Sequence, residues 1–331
     1  MVIFIFLNLQ QSSNNVFEVQ SPTPPNNNNN NTVVSNNKEE VELRFDWINK
    51  KLIGPPISGR GEHGNNRAFN SVDYEKWYTV EDVERSITYM EEHSDILVPF
   101  ATKQLATRFR EAKLQCQPSA GGQSVLDRGG WCLTAGKNKD TSPLLNTNYV
   151  IPQHHVVGSQ RIIAELSNLI TAENVTSIND FGAGVGQYKP EIVQRHPELD
   201  YHAYDGAGNV YEYTDGNVDF VDLTFPLGLQ KRDWVLSLEV GEHVPSMYEG
   251  MFIRNLHRHN TQGIILSWGI LGQDGHSHVN NHSNDYIIAV FESLGYTYQK
   301  HWADKFRNPS NNYNWFTRSV MVFKRRIPLV A

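Results

Sequence analysis

The stretch Ile178–Val193, INDFGAGVGQYKPEIV, most narrows what this chain can fold into. An apolar lead-in meets three glycines at alternate positions, and a helix-compatible segment follows. Glycine lets a backbone turn tightly and approach a ligand with no side chain in the way. The free N–H groups and positive dipole end of the next helix would face that ligand. Around this turn, strand-like and helix-like segments alternate. VTSINDFG, YHAYDG, VDFVDLT, DWVLSLEV and GIILSWGI read as strands, and helical segments fall up to about His196, over 246–259 and in NDYIIAVFESLG. Such alternation predicts a mostly parallel sheet with helices on both faces. Two last strand-like segments, YTYQKHW and WFTRSVMVFKRR, predict a terminal antiparallel hairpin.

The chain before this region divides by composition. Residues 1–45 hold a short apolar start, MVIFIFLNLQQ, and a stretch rich in Asn, Ser, Gln and Pro with the run Asn26–Asn31. That stretch has too little apolar surface to offset ordering entropy and reads as a disordered linker. The apolar start is shorter than the roughly 20 residues that span a bilayer. It reads as a disordered end or as the remnant of a truncated anchor, and only the anchor would tie the chain to a membrane. Residues 74–150 read as a helical and loop extension. Its helical text opens with a cap at Thr79 and is interrupted at Pro99, which predicts two helices or a kinked one. A Gly-rich connector with Trp131 and Cys132 follows. The alternating pattern fills 151–331 as one domain, opening with a helix over Ser159–Ile170.

Charge and cysteines bound the partners. The chain carries a net −7, and in 151–331 the 14 Lys and Arg against 19 Asp and Glu leave −5. A nucleic-acid partner needs a basic face, so this balance argues against one. Cys116 and Cys132 leave both a disulfide and two free thiols open. Sequons at Asn30, Asn174 and Asn281 matter only on a secretory route. The compartment stays open between cytoplasm and secretory-pathway lumen.

The chemistry lies in acids at strand ends. A dinucleotide fingerprint reads GxGxxG, but here the spacing is GxGxG with Asp180 ahead of it. That acid would repel a pyrophosphate and welcome a cationic amine. Asp205 lies 19 residues beyond Gly186 and can accept from both hydroxyls of a ribose. Asp222 ends the third strand and can accept from an exocyclic adenine amine. Asp-Gly is a common turn pair, yet turn chemistry does not explain three acids at three successive strand ends.

Taken in order, DFGAGVG, YDG, FVDLT and SLEVGEHVP resemble the class I S-adenosylmethionine-dependent methyltransferases over about 150–326. The resemblance implies an α/β, Rossmann-like seven-stranded sheet in the order 3-2-1-4-5-7-6, its last strand antiparallel, with an N-terminal helical extension. It implies S-adenosylmethionine across the carboxyl ends of strands one to four. Asp180 and the backbone at Gly182, Gly184 and Gly186 would hold the aminocarboxypropyl part, and Asp205 the ribose. Asp222 and Leu223 would flank the adenine, and Glu239 would face the sulfonium and the acceptor. The implied reaction is O- or N-methylation, with a small molecule or glycan favoured as acceptor.

SLEVGEHVP also contains Glu239-x-x-Glu242-His243. This arrangement resembles a divalent-metal site in two methyltransferase groups, those of ubiquinone biosynthesis and of small-RNA 3′-terminal 2′-O-methylation. The latter complete the site with a later histidine, for which His278 stands first, beside His276 and His282. Two carboxylates and imidazoles suit Mg or Mn, which can hold vicinal hydroxyls and lower their pKa. Without metal, Glu239, Glu242 and His243 remain catalytic candidates, His243 as general base. The alternative functions are a metal-assisted RNA 2′-O-methyltransferase and a cofactor-binding fold that has lost catalysis and serves interaction. His154 and His155 are candidates to fold over the cofactor, and Trp131 and Trp268 to stack on an acceptor.

Overall fold

The computed structural model describes residues 87–88, 91–92, 94–116, 128–130, 132–133, 157–275 and 278–329. Residues 1–45, Thr79, Trp131, His154, His155 and His276 lie outside them. The chain divides into units 1–36 and 37–331, and every described residue belongs to the second. Among the described residues no helix is long and apolar enough to cross a membrane.

Seven strands form one sheet, β1 (Ser177–Phe181), β2 (Asp200–Asp205), β3 (Asp219–Phe220), β4 (Arg232–Ser237), β5 (Asn260–Leu266), β6 (Tyr296–Tyr298) and β7 (Met321–Arg325). Their order across the sheet is β3-β2-β1-β4-β5-β7-β6. β1 to β5 run parallel, and β7 lies antiparallel to both β5 and β6. Side chains alternate between the faces with the period of two that a strand imposes. Ile178, Trp234, Leu236, Ile265 and Val322 pack on one face, and Phe181, Val235, Ile264, Leu266 and Phe323 on the other. Each such side chain, fully buried, contributes about 1.5–3 kcal/mol.

Helices cover both faces. On the first lie α2 (Gln160–Glu173), α3 (Lys189–Arg195) and α7 (Lys300–Phe306), through Ile162, Leu166, Ile192 and Trp302. On the second lie α5 (Glu249–Arg258) and α6 (Asn284–Ser293), through Phe252, Leu256, Val290 and Phe291. Single turns α4 (Val210–Tyr213) and α8 (Phe316–Ser319) complete the layers. Local chemistry sets the ends. Ser159 caps α2 by accepting from the Ile162 N–H, and Asn174 stops it in the left-handed region. Ser283 caps α6 by accepting from the Tyr286 N–H.

Two local expectations change. Pro99 does not divide the extension there, because α1 runs unbroken from Ser94 to Gln115. Of the two expected outcomes this removes two helices split at Pro99 and leaves a kinked one, since Pro99 has no N–H for the Asp95 carbonyl. The last two strands pair, but not as a tight hairpin. The segment after Tyr298 turns into α7, with Trp302 and Phe306 buried at helical spacing, and β7 starts only at Met321. The cysteine question resolves to a disulfide, Cys116–Cys132, joining the end of α1 to the described residues 132–133 at a Cα–Cα separation of 5.1 Å.

Candidate active site

Parallel strands bring their carboxyl ends to one edge, so the turns after β1 to β5 meet there. They line a cavity of about 980 Å³. Gly182, Gly184, Asp205, Asp222, Leu223, Glu239, His243 and His278 are on its wall. Asp180, Gly186 and Glu242 are not, and lie behind it.

The turn after β1 holds Gly184 at φ +60°, a left-handed backbone that side-chain-bearing residues rarely adopt. A Cβ there would meet only Gln187 Oε1, at 3.4 Å. The Gly184 N–H donates to Asp205 Oδ2 at 2.9 Å, and the Ala207 N–H donates to Oδ1 at 2.8 Å. These bonds fix the carboxylate at the end of β2. Burial pushes its pKa up to about 6, against the pull of those donors. Asp180 faces the α2–α3 side, where the Tyr201 hydroxyl donates to it at 2.7 Å. Burial pushes its pKa up to about 7, the Tyr201 bond partly offsetting it.

Asp222 has partners that sequence reading did not foresee. Arg108 of α1 donates to its Oδ2 from Nε at 3.0 Å, and the Thr224 N–H and hydroxyl donate to Oδ1. Arg108 also pairs with Glu111. Arg128 sits beside it, donating to Thr224 Oγ1 at 3.0 Å, its guanidinium 4.8 Å from the Phe225 ring centre and 4.9 Å from that of Tyr248. Both arginines line the cavity. No local motif marks them.

Glu239 follows β4 with φ +55°, a strained backbone for a residue with a side chain. Its N–H donates to Ser267 Oγ at 2.8 Å, while Ser319 and Gln273 donate to its carboxylate at 3.0 and 3.1 Å. Burial raises its pKa. Glu242 is fully buried, and burial together with the nearby Glu239 charge pushes its carboxyl well above the usual range. With both carboxyls raised by burial and acting on each other, the pair calls for a shared proton or a cation.

The loop after β5 brings in the third group. The Val279 and Asn280 N–H groups both donate to the Glu242 carbonyl, at 2.8 and 3.0 Å. His278 is thereby held against His243, ring centres 5.0 Å apart. One ligand atom each from Glu242, His243 and His278 lies within 4.8 Å of the others. Glu239, expected as a further ligand, is outside this group. His282 is directed elsewhere, its Nε2 2.7 Å from Glu249 Oε2 in a buried pair completed by Tyr286 and Asn280. Burial alone would raise the Glu249 pKa, but His282, with the Tyr286 and Asn280 donors, holds it below the usual range. Trp268 is core, donating from Nε1 to the Asn280 carbonyl at 2.6 Å, and offers no stacking face to an acceptor.

The sheet order, with β7 reversed between β5 and β6, is the class I methyltransferase fold. No protein-family model and no curated protein matches the chain. Solved structures similar to part of it include the magnesium protoporphyrin IX methyltransferase ChlM of Synechocystis PCC 6803 with bound SAH, 17% identical over 50% of this chain and 83% of that one, TM-score 0.38. The methyltransferase domain of bacterial CtHen1 is 11% identical over 52% of this chain and 100% of that one, TM-score 0.39. CalS10, an amino pentose methyltransferase from Micromonospora echinaspora, is 13% identical over 51% and 92%, TM-score 0.39.

Proposed function

We propose that the chain is an S-adenosylmethionine-dependent methyltransferase acting on oxygen or nitrogen of a small molecule or glycan. The observation that carries this reading is the convergence of Gly184, Asp205, Asp222 and Glu239 on one cavity at the carboxyl edge of the sheet. The residues suit the cofactor. The open space beside Gly184 admits a ligand backbone-close, Asp205 is aimed by two N–H donors, and the acids complement a cation. When bound, that cofactor supplies a methyl group already activated on a sulfonium. The protein's own work is alignment and proton handling. Asp205 orients the ribose end, and Glu239, clamped by Ser319 and Gln273, faces the acceptor side. His243, which lines the same cavity as Glu239, would take the acceptor's proton.

Metal assistance is the second reading, favoured by the Glu242–His243–His278 group and the buried Glu242 oxygens. These residues would hold a divalent cation such as Mg or Mn, which would supply positive charge to lower an acceptor hydroxyl's pKa. An RNA acceptor ranks lower because the domain is acidic, at −5 over 151–331.

Calorimetry with S-adenosylmethionine and S-adenosylhomocysteine tests the cofactor. A folded protein that binds neither would overturn the reading. Labelled cofactor incubated with RNA, protein, glycan and small-molecule fractions identifies the acceptor class. Chelation and add-back of Mg or Mn decides the second reading, which falls if activity is unchanged and no ion is bound.

A further inference from the structure

The described residues 128–130 and 132–133 form a strap along the cavity, with Arg128, Gly129, Gly130 and Leu133 on its wall. At one end Arg128 is seated between the Phe225 and Tyr248 rings and bonded to Thr224, so it grips the turns after β3 and β4. Next, Gly129 lies against the His243 carbonyl so closely that a Cβ would come within 2.4 Å of that oxygen. At the far end Asn209, in the turn after β2, clasps Leu133 twice. Its side-chain oxygen accepts the Leu133 N–H at 3.0 Å, and its amide donates to the Leu133 carbonyl at 2.6 Å. A side chain that satisfies both backbone groups of one residue acts as a docking point, copying the pairing of a strand edge.

The C-terminal end of α1 lies beside the strap. A Cβ on Gly208 would come within 2.2 Å of the Ala112 backbone, so helix and turn meet without intervening side chains. Arg108, Ala112, Arg128, Gly130 and Leu133 all line the cavity. The Cys116–Cys132 disulfide joins helix to strap. Cys132 is buried and Cys116 partly exposed, so one sulfur can be attacked.

We propose that Cys116, Cys132 and Asn209 are cofactor-retention residues: they hold the strap closed over the bound cofactor, and reduction of the disulfide lets it open. This rests on the cofactor reading above. The redox step is thiol–disulfide exchange with a dithiol. A thiolate of the dithiol attacks Cys116 Sγ, forming a mixed disulfide and releasing the Cys132 thiolate. The second thiolate then closes the dithiol into a cyclic disulfide and releases Cys116. Two electrons and two protons pass from the dithiol to the protein, and the dithiol leaves oxidised. Among the described residues the strap is then held by Asn209, Arg128 and packing.

The test uses the full chain and S-adenosylhomocysteine, with release followed by chasing tritiated ligand with unlabelled ligand. Dithiothreitol is expected to raise the release rate at least tenfold and weaken Kd in the same direction, with recovery on reoxidation and an unchanged far-ultraviolet circular dichroism spectrum. Cys116→Ser combined with Cys132→Ser is expected to release as fast without dithiothreitol and to ignore it. Asn209→Ala is expected to speed release at least fivefold in the reduced protein and less than twofold in the oxidised one, a coupling that a disulfide serving stability alone would not produce. A rate change below twofold after both thiols have been titrated would overturn the proposal, as would equal Asn209→Ala effects in the two states. If the double cysteine variant does not fold, reversible reduction of the wild type decides alone. Failure of the oxidised protein to bind S-adenosylhomocysteine would instead bring down the cofactor reading, and this inference with it.

Discussion

Asp180→Asn is expected to stabilise the cofactor-free protein, by an amount that depends on pH. Asparagine keeps the volume and an oxygen that can accept the Tyr201 hydroxyl, but it has no charge to bury. The Asp180 pKa is raised from 3.8 to about 7, chiefly by burial. Between those values the folded state keeps a proton that the unfolded state has lost, so stability falls as pH rises through this window. At roughly 1.4 kcal/mol per unit, the wild type at pH 8 carries a penalty of about 4 kcal/mol relative to the neutral side chain. At pH 5 the same linkage leaves about 2 kcal/mol. Urea denaturation of both proteins at the two pH values reads the difference directly. Asp205, present in both, largely cancels. A stability difference that is flat with pH, or a variant less stable than wild type at pH 8, would refute the placement of a buried, proton-holding carboxyl at the end of β1.

Three other perturbations are informative. Gly184→Val places a branched side chain at φ +60° beside the cavity; calorimetry should show cofactor affinity reduced at least a hundredfold, and circular dichroism an intact sheet. Asp205 holds its proton below about pH 6, so wild-type cofactor affinity should weaken as pH falls from 8 to 5, whereas Asp205→Asn should bind about tenfold more weakly and with a shallower slope, the remainder belonging to Asp180. Glu249→Gln strands His282 without its buried carboxylate partner and should cost about 3–5 kcal/mol in urea denaturation. It should also loosen the loop carrying His278, read as weaker Mn retention by equilibrium dialysis than in wild type.

Much of the fold was legible along the chain, because strand and helix periods are local properties. The run from Val175 to Gly182 is a short strand-like segment closed by a glycine turn, and Ser159 and Ser283 mark helix starts by side chains that accept from N–H groups three residues on. The misjudged places are those where local and tertiary preferences differ. Pro99 reads as an interruption, yet one helix continues through it from Ser94 to Gln115. The segment after Tyr298 is helical because Trp302 and Phe306 have a sheet face to bury against. The three cavity histidine candidates read alike in GQDGHSHVNNHSN. His276 lies outside the described residues, and only the bonds from Val279 and Asn280 to Glu242 turn His278 toward His243, while Glu249 takes His282.

By itself the sequence determined the parallel sheet, the edge on which its turns gather, and the acids carried there, since each follows from residues close in the chain. Tertiary structure alone decided which of those acids meet the cavity. Asp180 and Asp205 both end strands, yet strand pairing sets Asp180 against Tyr201 and leaves Asp205 on the cavity wall. Asp222 receives Arg108 from 114 residues away, and Asn209 receives Leu133 from 76 away. Such pairings form only when distant segments are packed together, and a charge or amide does not reveal along the chain which partner burial will leave it.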